Sequence, residues 1–229
     1  MPAILRNLVA RAPKMEDLEA VTELLLACDM GDYGMSASVK EDLLRQWRRA
    51  DFNVKTDAWV IVTTGGQVVG YASVCHHDCA HMQLSACVHP AYRSRGIGML
   101  LLRLAEARAR EQISAAPVGV RVTLTTTVSH LNEAARRLVE REGYSVVQHF
   151  WRLMLEMDEV PPESFQDFSQ HGKLKLDLVV DAQHPMGTMQ VQKRTGIYMV
   201  RQYDVYEKEL RAGTGPQPDT HGTRQPVAA

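Results

Sequence analysis

The chain has 229 residues, 45% of them hydrophobic and 23% charged, with a formal net charge of -1. That is enough chain for one sizeable domain and short for two, and the charge excludes a general nucleic-acid binder, which needs surplus Lys and Arg to displace counterions. No run of about 20 apolar residues exists to span a membrane, no secretion signal is read at the N-terminus, and four cysteines make no disulfide framework at this size, so a reducing cytoplasm is the expected setting.

In chain order, "NLVARA" reads as a short strand. "PKMEDLEAVTELLLACD" is a helix with Leu18, Val21, Leu24 and Leu25 on one face. "DMGDYGMSA" follows as a Gly- and Asp-rich loop, and "SVKEDLLRQWRRA" opens on Ser38 and Glu41, a capping box that starts a second helix. "DAWVIVTTGGQVVGYASV" is a hairpin turning at Gly65-Gly66, and "HMQLSACV" is another strand. A leucine-rich helix, the strand "VRVTLTTTV", the helix "NEAARRLVEREG" and the strand "YSVVQHFWRLMLEM" complete a mixed α/β pattern around one sheet.

Past Pro161-Pro162 the character changes. "KLKLDLVVD", "TMQVQK" and "GIYMVRQYDVY" read as further strands, either a hairpin added at the sheet edge or a small β subdomain. The division is therefore 1–160 for the main domain, 161–210 for a β-rich extension, and 211–229 for a Gly/Pro-rich tail too poor in apolar surface to fold alone.

The most informative stretch is "ACVHPAYRSRGIGMLLLRLAEARAR", residues 86–110. A strand runs through a basic, glycine-bearing turn into a helix N-terminus. Unpartnered amides and the helix dipole favour an anion there, glycines let it approach the backbone, and Arg93 and Arg95 add charge. The spacing is neither a P-loop nor a dinucleotide fingerprint. Arg93-Ser94-Arg95-Gly96-Ile97-Gly98 resembles the Q/R-x-x-G-x-G/A motif of the GNAT (Gcn5-related N-acetyltransferase) family. "NEAARRLVEREGY" is similar to that family's second motif at Asn132, Ala135, Leu138, Glu140, Gly143 and Tyr144, and "VVGYASV" to its third strand; the resemblance covers about residues 7–157.

The resemblance implies a GNAT (acyl-CoA N-acyltransferase) fold: a single mixed β-sheet flanked by helices, here with a C-terminal β extension. It implies acetyl-CoA as cosubstrate, its pyrophosphate on Arg93 to Gly98 and its pantetheine arm paired to Ala86, Cys87 and Val88 where "QLSACV" and "VTLTTTV" splay, with Asn132 steadying the arm. A primary amine, on a small molecule or a protein, would attack the acetyl group directly in a ternary complex, and a homodimer is the family's frequent state. The family's usual Tyr proton donor is Val139 here. That leaves Tyr144 as a candidate acid and His81 as a candidate base. It also opens a second reading, a non-catalytic acyl-CoA-binding sensor or interaction protein. Asp32 and Tyr33 are candidates to attract a cationic acceptor, although the same residues suit a solvated, turn-forming loop.

"CHHDCAH", residues 75–81, offers five possible ligands, but its spacing fits no usual zinc pattern and alternate side chains would diverge across a hairpin, so no metal is expected. Cys87 reads as a small buried strand residue, with a reactive thiol as the other reading.

Overall fold

The computed structural model describes residues 7–33, 40–76, 79–157, 174–181 and 197–214. Its strands are β1 (Leu8–Arg11), β2 (Ala58–Thr63), β3 (Val68–His76), β4 (His81–Val88), β5 (Val122–Ser129), β6 (Ser145–Met157), β7 (Leu174–Asp181) and β8 (Ile197–Arg211). Its helices are α1 (Leu18–Tyr33), α2 (Lys40–Trp47), α3 (Val54–Asp57), α4 (Ile97–Gln112) and α5 (Glu133–Arg141). The strands form one sheet in the order β1-β2-β3-β4-β5-β8-β6-β7. Only the β4–β5 pair is parallel among the described strands, as expected where a long helix carries the chain over.

Strand alternation builds a core on each face. On β2, Val60 and Val62 join Val21, Leu24, Leu43 and Trp47 of α1 and α2, while Ile61 turns to the other face with Ile97, Leu101 and Leu102 of α4. The hairpin between β2 and β3 turns through Gly66 at φ 86°, the left-handed region that glycine enters freely. Helix α4 lies almost on β3: a Cβ at Gly70 would stand 2.9 Å from Ile97 Cγ2 and 3.2 Å from Leu101 Cδ1.

Two expectations change. The predicted loop from Asp29 to Tyr33 is the last turn of α1. Tertiary contacts hold it helical despite Gly31, which lets α1 approach Pro90 where a Cβ would be 2.7 Å from the ring. The capping Ser38 lies outside the described residues, as do "TMQVQK" and the tail from 215 onward. The strand read in "GIYMVRQYDVY" takes neither of its two predicted places: β8 runs between β5 and β6, inside the sheet, and β7 lies at the edge.

Candidate active site

The site begins where two parallel strands part. β4 and β5 pair from His81↔Thr123 to Leu84↔Thr126 and no further. Beyond that point each strand follows its other neighbour: β4 stays with β3 through Gly70↔Val88, and β5 stays with β8 through Ser129↔Tyr203. The gap is held open by sheet hydrogen bonds on both sides. His89 N–H donates to Val69 O at 3.0 Å. By antiparallel alternation Cys87 also pairs toward β3, so Ala86 and Val88 turn their N–H groups toward the gap. A cavity of about 790 Å³ opens here.

The chain leaves β4 through a short 3-10 turn, Pro90–Tyr92, started by His89, whose Nδ1 accepts from Ala91 N–H at 3.2 Å. Ser94 (φ 60°) and Gly96 (φ 83°) are left-handed, and Gly96 caps α4. No atom lies within 4 Å of the point where a Cβ at Gly96 would stand. Ser94, Gly96 and Gly98 line the cavity, so the start of α4, the positive end of its helix dipole, borders open space, an arrangement able to hold an anion. Gly98 has a different reason to be small: its Cβ would sit 3.1 Å from Leu138 Cδ2, so it sets the approach of α4 to α5.

The arginines do not both stand free. Arg93 donates from Nη1 to Asp32 Oδ1 at 2.7 Å and from Nε to Val88 O at 3.3 Å. Arg95 stacks over Tyr92, 5.0 Å from the ring centre. The other Asp32 oxygen accepts from Asn132 Nδ2 at 3.4 Å, and Asn132 Oδ1 caps α5 by accepting Ala135 N–H at 3.1 Å. One carboxylate thus ties the end of α1 to the turn before α4 and to the start of α5. Asp32 and Tyr33, the residues expected to attract a cation, both line the cavity and both have protein partners. Asp32 is neutralised by Arg93, and Tyr33 Oη donates to Gln202 O at 2.8 Å while burial pushes its hydroxyl well above the ordinary value. Asp29 is likewise paired, with Arg201 at 2.9 Å.

Ala86, Cys87, Val88, Arg93, Ser94, Gly96, Gly98, Asn132, Asp32 and Tyr33 all line the cavity. Ile97, 1% exposed, points into the core. Neither candidate for proton transfer is there. His81 begins β4 at the end away from the gap. Tyr144 packs under α4 at 3% exposure with its ring beneath Lys208 Nζ at 5.2 Å, and burial makes its hydroxyl a weaker acid than an ordinary tyrosine's. Val139 does face the cavity. Among the described residues no three His, Cys, Asp or Glu side chains gather as a metal site, and His77 lies outside those residues.

Sequence reasoning missed Tyr203, which lines the cavity from β8, stacks on Phe150 at 5.2 Å and meets Tyr33 at 5.6 Å. No local signal marks a late strand for insertion beside β5. It also missed that Cys28 of α1 shares the cavity wall with Cys87.

Residues 18–144 match the model of the acetyltransferase (GNAT) family. No curated protein matches. Among solved structures, a GCN5-related N-acetyltransferase from Sphaerobacter thermophilus is similar at TM-score 0.76 and 19% identity, over 93% of this chain and 98% of that one. A GNAT phosphinothricin acetyltransferase from Sinorhizobium meliloti, solved in complex with AcCoA, is similar at TM-score 0.54 and 16% identity, over 93% and 94%. An N-acetyltransferase from Staphylococcus aureus gives 0.53 and 16%, over 90% and 99%. At such identities these structures speak for the fold alone. The family match spans more than half of the 229 residues and includes both motifs and both splayed strands, and the chain belongs to the GNAT family of acetyltransferases.

Proposed function

We propose that the chain is an acetyl-CoA-dependent N-acetyltransferase that moves an acetyl group to a primary amine, on a small molecule or a protein, by direct attack in a ternary complex. The observation that carries this reading is the parting of β4 from β5 after Leu84 and Thr126, next to the open N-terminus of α4. The fit to acetyl-CoA rests on this chain's own groups. The amides from Ser94 to Gly98 suit a pyrophosphate, and the N–H groups of Ala86 and Val88 suit an extended arm that adds to β4 as a strand would. Acetyl-CoA supplies an acyl carbon already activated as a thioester.

What the protein adds is orientation. Holding two reactants in one geometry is worth about 7–11 kcal/mol of barrier in favourable cases. A fixed backbone N–H near the acyl oxygen would stabilise the charge that develops there. Val139 offers no proton to the departing thiolate, and with an ordinary thiol pKa of about 8.5 that thiolate leaves acceptably without one. Asp32 is best assigned to positioning, because it orients Arg93 and Asn132 together.

Calorimetric titration with coenzyme A tests the site. Gly96→Glu should abolish the heat of binding, since it puts a side chain and a negative charge where the amides face space; unchanged affinity would remove the site. The apolar Val139 is the specific observation that favours the second reading, a CoA-binding protein without turnover. Release of free thiol from acetyl-CoA, stimulated by a panel of amines, separates the two: binding without any stimulated release selects the second.

A further inference from the structure

Helix α1 crosses the sheet where β4 loses its β5 neighbour, and there it sets one cysteine against another. Cys28, 8% exposed, faces the sheet from α1. Cys87, half-buried, is next to last in β4. Both pack into the same cluster between α1 and the sheet, and Cys28 Sγ is 3.3 Å from the carbonyl of Val88, the neighbour of Cys87 in β4, to which it donates. Both are free thiols and both line the cavity, so a small solute in the cleft meets them. Cys75 and Cys79 do not line it; Cys75 instead receives Gln46 Nε2 at 2.9 Å.

The pair is asymmetric. Interaction with the neighbouring Cys87 thiol holds the Cys28 thiol below its ordinary value against the opposing effect of burial, and the nearby Arg93 charge adds to that. Cys87 is pushed well above the ordinary value, first by the same interaction and then by burial. A thiolate-prone sulfur beside a second thiol is the arrangement in which oxidation stops at a disulfide.

We propose that Cys28 and Cys87 are an oxidation site, a dithiol that hydrogen peroxide converts to a disulfide joining α1 to β4 inside the cleft. The Cys28 sulfur attacks one peroxide oxygen, the O–O bond breaks, and a sulfenic acid forms with loss of one water. The Cys87 sulfur then attacks the Cys28 sulfur, the S–O bond breaks, and the second water leaves. Two thiols and one peroxide give one disulfide and two waters; both sulfurs are oxidised and both peroxide oxygens reduced. The bond closes a loop of about 60 residues in the unfolded chain, so oxidation stabilises the fold. The inference stands on the packing of Cys28 against the Cys87–Val88 end of β4 and is independent of which cofactor occupies the cleft.

The test uses the full chain, reduced, desalted and exposed to a few equivalents of hydrogen peroxide, then alkylated in denaturant. The expected result is a mass loss of about 2 Da with two of the four thiols protected, a tryptic peptide linking Cys28 to Cys87, an upward shift in melting temperature, and full reversal by dithiothreitol. Cys28→Ser should abolish the link, and the Cys75→Ser/Cys79→Ser double variant should keep it. Sulfinic or sulfonic acid at Cys28 without a link, a link through Cys75 or Cys79, a link between two chains, or no thiol loss would each overturn the proposal. The peptide map of the unaltered chain decides the pairing even if a variant fails to fold.

Discussion

Asp204 is 1% exposed, yet it carries a charge that three side chains share. Its carboxylate accepts from His149 Nδ1 at 2.7 Å and His130 Nδ1 at 3.1 Å, with Arg136 Nε at 3.4 Å. Burial pushes the carboxyl up, but the hydrogen bonds from His149 and His130 outweigh it and hold Asp204 below the usual carboxylate range. A folded value below the unfolded one means that the stabilisation is complete above the unfolded value, near ~3.9, and is lost as pH falls through the folded value. Asp204→Asn should therefore flatten the acid side of the stability profile and cost about 1–3 kcal/mol at neutral pH, measured by urea melts between pH 3 and pH 7. Val139 is the second residue of consequence. At 6% exposure on the cavity wall it puts an apolar side chain, with no proton to give, at that position of α5. Val139→Tyr should raise kcat, by up to about 10²-fold if thiolate protonation limits turnover, with the KM for acetyl-CoA unchanged; steady-state kinetics decides it.

At the scale of elements, the segment from β4 to α4 was legible because its signals are local. A proline stops the strand, glycines mark the turn, and a leucine spacing of helical period follows. The end of α1 was not legible. Gly31, Asp29 and Asp32 look like a loop until Arg201 and Arg93, distant in sequence, supply the ion pairs that keep the last turn wound. The same distance hid the partner of Arg93: a sequence can show Arg93 beside a glycine-bearing turn without showing that Asp32 already holds it. Asp32→Asn should weaken coenzyme A binding about tenfold through Arg93 and Asn132 while leaving the fold intact, an effect of one hydrogen bond to a charge, read by calorimetry beside circular dichroism. Close packing sets another limit between elements. Gly70→Ala forces a methyl within 2.9 Å of Ile97 and 3.2 Å of Ile61, and overpacking of this kind costs about 1–3 kcal/mol; the midpoint of chemical denaturation should fall accordingly.

On the scale of the whole molecule, the C-terminal strand is the largest departure from the sequence reading. The sequence reads β8 as a strand, but a strand's own residues are silent on which neighbours it takes. Its position follows from contacts that no single segment displays. Tyr206 is fully buried and its hydroxyl donates to Glu140, Arg121 meets Glu207 at 2.6 Å and Glu209 at 2.7 Å, and Lys208 meets Glu106 at 2.8 Å. Removing residues 197–229 should leave β5 and β6 with unpaired inner edges and abolish cooperative unfolding, visible as collapsed amide dispersion in a proton–nitrogen correlation spectrum. The central place of β8 also fixes a timetable. As the nascent chain leaves the ribosome, β5 and the hairpin partners of β6 emerge well before the strand that must lie between them, and Tyr203 comes with that last strand. The cleft is thus completed only once β8 has been made, so a message that stalls before it yields a half-sheet open to chaperones and proteases and never a partly working enzyme.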